Sequence, residues 1–302
     1  MNPKILLSVS LSACVLNGDQ YPKPSELPQE WEVAYTRVLA IQAEPPEILP
    51  GETASFDALI GQPSGEESLL VRTWCACPTL DDGVGFGCTL DPDLGNLSSD
   101  TPDLDALLAS GLIGVQPGWI DPVYQAPEDL LQPLDPLDRL EGLYVVIQLV
   151  ALEGDELNWE ESLLDPGELA VSYKRLIVSE ASTPNQNPTL EAFEVEGFSV
   201  AKEETVAIDP GQPYELAIRI LDDSVETYEF VNSQGVVEER LEEPYVAWYT
   251  TGGTLLESVT LHPYTQADWI SPKRSGIDGT WYAVVRDRRG GMAWWSQRWK
   301  TR

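Results

Sequence analysis

The sequence predicts an all-β body in which one strand order occurs twice in tandem, with a long loop and short-helix insertion in the first copy. Two observations predict it: period-two alternation after two Pro-Gly turns, and a shared order of landmarks along the two halves. Pro50-Gly51 precedes a run in which Ala54, Phe56, Ala58 and Ile60 fall on one face. Pro210-Gly211 precedes a second run, in which Tyr214, Leu216, Ile218 and Ile220 do the same. Side chains of an extended chain point alternately to opposite sides, so each run reads as a half-buried strand.

The landmarks continue in step. Val71–Trp74 and Tyr245–Trp248 are strands that end on a large aromatic, Gly142-Leu143-Tyr144 matches Gly279-Thr280-Trp281, and final strands follow at 169–179 and 291–300. This order resembles immunoglobulin-like sandwiches. The second copy also resembles PKD-type domains, in Trp248–Gly253 and in Tyr282–Gly290. The resemblance covers most of residues 31–302 and implies two tandem immunoglobulin-like β-sandwiches; it implies a fold and says little of function. The copies divide the body into 31–181 and 189–302, joined by 182–188, a stretch with two prolines and no apolar period. An insertion over about 91–139 in the first copy is rich in Asp-Pro steps. It contains one predicted helix, with Thr101 as cap, Pro102 at the first position and Gly111 as the stop. In the second copy Tyr228–Val231 and Val236–Glu238 flank Asn232–Gly235 and read as a hairpin.

Ahead of the body, Lys4 precedes Ile5–Ala13, an apolar run long enough for an export signal and too short to span a bilayer. It closes on Leu11-Ser12-Ala13-Cys14, which resembles the lipobox of bacterial lipoproteins. The resemblance implies that residues 1–13 are a signal peptide and that Cys14 carries a lipid anchor. Val15 in place of Asp implies an outer membrane where the cell has two. Residues 14–30, with Pro22, Pro24 and Pro28, then read as a flexible tether.

The net charge is −32, which repels phosphates and sets nucleic acid aside as a partner. The acid is unevenly spread. Residues 270–302 hold eight of the 18 basic residues but only Asp278 and Asp287 of the 50 acidic ones, so the chain is electrically two-ended. With Cys14 lipidated, three cysteines remain for an oxidising compartment. Cys77 and Cys88 enclose Gly83, Gly85 and Gly87 and form the preferred disulfide, leaving Cys75. Three thiolates with no histidine nearby make a poor zinc site, so neither a metal nor another cofactor is expected.

No Gly-x-Ser-x-Gly elbow, phosphate loop or His-Glu-x-x-His stretch occurs, and the single histidine, His262, precedes a proline in a polar loop. The expected function is a non-catalytic envelope lipoprotein that binds or scaffolds a protein or glycan of the envelope. Two alternatives stand beside it: a carboxylate-based glycan hydrolase, and a calcium-dependent adhesion module using the dense Asp91, Asp93, Asp100, Asp103 and Asp105. In the last strand, alternation sends Trp294 to one face and Trp295 with Trp299 to the other, so one of them leaves the core side. With Arg286, Arg288 and Arg289 beside them, these tryptophans form the candidate partner-binding cluster. The competing arrangement has the same side chains covering each other or packing on the first module. Lipid attachment is expected to depend on Cys14 alone. Cys14→Ser should abolish incorporation of labelled fatty acid and release the protein from the membrane fraction; unchanged labelling would remove the lipoprotein reading.

Overall fold

A computed structural model describes residues 28–63, 70–77, 111–116, 121–153, 169–232 and 234–302. Trp31–Arg302 forms one compact unit containing two β-sandwiches. In the first, the strands are β1 (Arg37–Glu44), β2 (Glu47–Ile48), β3 (Thr53–Gly61), β4 (Leu70–Cys77), β5 (Leu112–Gln116), β6 (Val123–Gln125), β7 (Leu143–Glu153) and β8 (Leu169–Val178), with a short helix α1 (Pro136–Glu141) before β7. They form a sheet of order β1-β3-β6 and a second of order β2-β8-β7-β4-β5. Ala54, Phe56 and Ala58 point inward from β3 as the alternation predicts, and meet Trp74, Ile147, Leu149 and Leu176 from the other sheet. The Phe56 and Trp74 rings lie 6.0 Å apart at the centre of this core.

The second sandwich comprises β9 (Leu190–Val195), β10 (Phe198–Val200), β11 (Thr205–Ile208), β12 (Pro213–Ile220), β13 (Thr227–Val231), β14 (Val237–Leu241), β15 (Tyr245–Thr250), β16 (Thr254–Leu255), β17 (Val259–Leu261), β18 (Gln266–Ile270), β19 (Asp278–Arg286) and β20 (Met292–Thr301). Its sheets have the orders β10-β9-β12-β18-β16 and β11-β20-β19-β15-β17, and β13 and β14 form the expected hairpin. The core is built on tryptophan: Trp269 packs edge-on against Trp281 at 4.9 Å and lies tilted against Trp299 at 5.1 Å, and Phe193 stacks over Trp281. Gly279 admits the Trp299 ring, since a Cβ there would lie 2.4 Å from it.

One device occurs in both sandwiches. The leading strand pairs antiparallel with its neighbour in one sheet (β1 with β3, β9 with β12), and a later piece then pairs parallel with the last strand of the other sheet (β2 with β8, β11 with β20). A chain that contributes to both sheets closes each sandwich along the same side.

The copies diverge elsewhere. The 91–139 stretch, expected as loop with one helix, contributes β5 beside β4 and β6 beside β3. Leu112 and Val115 are buried there, a reward that its Asp-Pro composition conceals. The helix expected at Thr101–Gly111 lies outside the described residues, apart from Gly111. Tyr144, the counterpart of the buried Trp281, is 54% exposed, so the Gly-x-aromatic landmark matches in sequence but not in burial.

The sandwiches meet through side chains that each turns away from its own core. Val33, Leu39, Ala40 and Leu59 of the first pack on Tyr282 and Val284 of the second, with Trp294 and Met292 alongside. A bulge in β1 between Val38 and Ala40 makes this possible: Ile41 and Ala43 stay in the first core while Leu39 and Ala40 face the neighbour. The Leu39 carbonyl accepts a 2.9 Å bond from Arg286 Nη2. Asn187 bridges the strands, donating to Ala43 O and accepting from the Met292 amide, and Trp31 packs against the second core.

Candidate functional site

Where β8, the segment 181–183, the β13–β14 hairpin and the β19–β20 turn converge, they enclose a groove of about 520 Å³. This lies within the roughly 300–1,000 Å³ typical of small-molecule and side-chain pockets. One wall is Tyr144, Arg175 and Ile177 from the first sandwich, and the end of α1 adds Glu141. The opposite wall is Tyr228, Glu229 and Phe230 from β13. The floor carries Glu47, Arg289 and Gly290.

That floor carries a connected network of ion pairs and hydrogen bonds. Arg289, only 15% exposed, donates through Nη1 to Glu242 at 2.9 Å and to Glu226 at 3.3 Å, and through Nη2 to Glu47 at 3.5 Å. Its guanidinium also sits 4.3 Å from the centre of the Tyr228 ring. Glu47 comes from the first sandwich, where it accepts from Ser179 Oγ and from the Asn185 amide at 2.7 Å. Asn185 Nδ2 then donates to Asp287 at 2.8 Å, and Asp287 accepts from the Arg289 amide at 2.7 Å. Segment 182–188, expected as a linker, thus places a fully buried Asn185 between the two sandwiches.

Burial governs the protonation of this cluster. Desolvation holds the Glu242 and Asp287 carboxyls above their ordinary range. For Glu242 the nearby Asp287 charge adds to the rise and Arg289 opposes it; for Asp287 the Asn185 bond, Arg289 and Lys174 oppose it. Lys174 reaches across to the Gly290 carbonyl, and burial lowers its ammonium from 10.5 to about 8, with Asp287 opposing the drop and Arg286 adding to it. A pair of carboxyls raised by burial is the signature sought for glycan hydrolysis. Here, however, the Glu242 side chain is 1% exposed and Asp287 is buried behind Arg289, so neither is open to a substrate.

The C-terminal tryptophans and arginines singled out in the sequence all make contacts within the protein. Trp299 is fully buried in the second core and is not part of any surface. Trp295 packs half-buried on that same core, 6.5 Å from Phe193, with Lys202 over its ring. Trp294 packs into the contact between the sandwiches. As the alternation predicts, one tryptophan, Trp294, leaves the core side of the second sandwich, and it is half-buried against the first. Arg286 binds the Leu39 carbonyl, Arg288 pairs with Glu243 at 3.3 Å beside Tyr245, and Arg289 anchors the floor. The groove itself was not read from the sequence, because its walls come from five separate segments.

Cys14, Cys88 and the aspartates at 91–105 lie outside the described residues. Cys75 is a free thiol that burial pushes up to about 11. Among the described residues no cluster of three or more His, Cys, Asp or Glu side chains converges as metal ligands, and no helix is long and apolar enough to cross a membrane.

No known family matches the sequence. No curated protein matches it either. Among solved structures, the chain is similar to the three N-terminal domains of the bacteriophage RB49 Highly Immunogenic Outer Capsid protein (Hoc), at 11% identity and a TM-score of 0.22 over 88% of this chain. It spans 59% of that structure. It is also similar to fibronectin(III)-like modules of Clostridium thermocellum CbhA, at 7% identity and a TM-score of 0.24, covering 87% of this chain and 94% of that one. A third likeness, to latent PorU from Porphyromonas gingivalis, has 10% identity and a TM-score of 0.22, over 92% of this chain and 25% of that one.

Removing Arg289 leaves three carboxylates facing one another in a desolvated pocket. Arg289→Ala should therefore cost about 3–5 kcal/mol of stability, whereas Arg288→Ala, at an exposed pair, should cost less than about 1 kcal/mol; urea unfolding of both variants checks this. Lys174 sets a pH dependence. Its ammonium is harder to keep charged folded than unfolded, so its contribution to stability increases as pH rises from about 8 towards 10.5 and is lost as pH falls back through 8. In Lys174→Met that increment should be missing from the urea midpoint measured across the same range.

Proposed function

We propose that this chain is a non-catalytic, lipid-anchored envelope protein whose tandem sandwiches present the junction groove to a binding partner. The observation that carries the reading is the groove's construction: its walls come from both sandwiches, and its floor is a buried ion and hydrogen-bond network that ties Glu47 of one to Arg289 and Asp287 of the other. A pocket held by desolvated charge pairs keeps its shape without a ligand, as preorganised recognition requires. Exposed Tyr144 on one side and Phe230 on the other supply the aromatic contact area that binding sites use.

In this reading export and lipidation at Cys14 fix the body to the outer membrane, residues 14–30 act as its tether, and a Cys77–Cys88 disulfide closes the loop after β4. The sequence resemblance to the lipobox supports the anchor. The test is site-specific photocrosslinking in intact envelopes, with a benzophenone amino acid replacing Tyr144 in one strain and the exposed Tyr264, outside the groove, in another. A discrete adduct from position 144 and none from 264 is expected. Equal labelling from both, or none from either, would remove the groove as the binding site.

A further inference from the structure

The floor of the groove is bonded within the protein, but the edge of one wall is not. Among the described residues β13 pairs with β14 alone, and no strand lies along its other edge. The register decides which backbone groups are left over. At one end of the hairpin the Glu242 amide donates to the Glu226 carbonyl, and at the other the Asn232 amide donates to the Val236 carbonyl, both at 2.9 Å. Hydrogen-bonded pairs of an antiparallel ladder recur at every second residue, so between those ends Tyr228 and Phe230 are the residues that bond to β14. The N–H and C=O groups of Glu229 and Val231 therefore point away from it, and no other described backbone bonds to them.

The groove runs along this free edge. Its wall takes Tyr228, Glu229, Phe230 and Val231, four consecutive residues. Side chains of a strand alternate, with Tyr228 and Phe230 on one face of the hairpin and Glu229 and Val231 on the other, so a cavity over either face is lined by alternate residues only. An unbroken run means that the strand is met edge-on. The size agrees: four residues of strand extend about 13 Å, and a groove of about 520 Å³ along that length has a cross-section of about 40 Å². One strand within packed sheets takes up about 48 Å², from spacings of about 4.8 Å between strands and about 10 Å between sheets. Across the groove, Tyr144 and Ile177 stand opposite each other on β7 and β8 and offer an apolar surface to the side chains of an incoming strand.

We propose that an extended segment of a partner protein enters the groove as a third strand beside β13, pairing with the outward N–H and C=O groups of Glu229 and Val231. A free strand edge is a template for another chain. The added strand draws its affinity from main-chain bonds and its specificity from the side-chain surfaces beside the edge. This rests on the binding-module reading above and names the form that its partner takes.

The test uses the full chain and a fluorescein-labelled eight-residue peptide alternating threonine and valine, residues that favour the extended state. Fluorescence anisotropy and residue-resolved amide exchange follow it. The peptide should bind, and exchange at Glu229 and Val231 should slow at least about ten-fold, while Tyr228 and Phe230, already bonded to β14, change less. The same peptide N-methylated at every residue keeps its side chains but has no backbone donors, and should bind at least about ten-fold more weakly. Glu229→Pro removes an outward N–H without touching the ladder to β14, a position where edge strands tolerate proline, and should weaken binding about five-fold. Glu239→Pro, which removes an outward N–H from the far edge of the same hairpin, should leave binding unchanged. No binding of the unmodified peptide, equal binding of the two peptides, or protection at the edge strands β10 or β17 in place of β13 would overturn the proposal. So would dimerisation of the chain alone in sedimentation that Glu229→Pro abolishes, since the occupant is then a second copy. Should Glu229→Pro fail to fold, the N-methylated peptide and the exchange pattern still decide. If photocrosslinking at Tyr144 captures a partner from the native chain and from Glu229→Pro alike, strand pairing is wrong and the binding module stands; if no adduct forms in either, the module reading falls with it.

Discussion

The arrangement of this molecule depends on the burial of both faces of the β19–β20 pair. On the inner face Trp281, Ala283, Val285 and Trp299 enter the second core; on the outer face Tyr282, Val284 and Trp294 are covered by Leu39, Ala40 and Leu59 of the first sandwich. A strand pair with two apolar faces cannot stand at the surface of a single sandwich without exposing a large apolar patch. The contact between sandwiches is therefore written into the alternation of β19 and β20. The bulge in β1 is the matching adaptation, since it turns two residues of a strand that otherwise serves its own core.

Once these surfaces meet, the polar groups at their edge are desolvated and must be satisfied. Arg286 takes the carbonyl freed at the bulge, Asn187 pairs with both β1 and β20, and Arg289 draws together carboxylates from both sides. A buried guanidinium among carboxylates adds less to stability than its Coulomb attraction suggests, because each charge has given up its hydration. What it supplies is geometry. The placement that joins Glu47, Asn185 and Asp287 by hydrogen bonds also opens the groove beside Tyr228.

This changes the meaning of the charge asymmetry. Seen along the chain, the basic C-terminal stretch of an acidic protein suggests an anion-binding end. In three dimensions Arg288, Arg289 and Arg302 face Glu243, Glu47, Glu226, Glu242 and Asp209, so these three charges are compensated from within, while Arg298 and Lys300 stay exposed on β20.

Local patterning was enough to read the all-β class, the strands that begin at Pro50-Gly51 and Pro210-Gly211, the Trp strands, the final strands and the β13–β14 hairpin. Each rests on period-two alternation or on turn chemistry, which neighbouring residues express by themselves. The tryptophans of β20 were legible as unusual, and the alternation correctly assigned them to two faces. What those faces touch was not legible, because their partners lie about 250 residues away in β1 and β3. The strands β5 and β6 were missed because Asp-Pro steps mask short apolar runs whose burial depends on an existing sheet edge. The groove arises only from tertiary structure: Glu47, Glu141, Tyr144, Glu229 and Arg289 share no local pattern, and the meeting of the two sandwiches decides which of their charges are buried against a partner side chain.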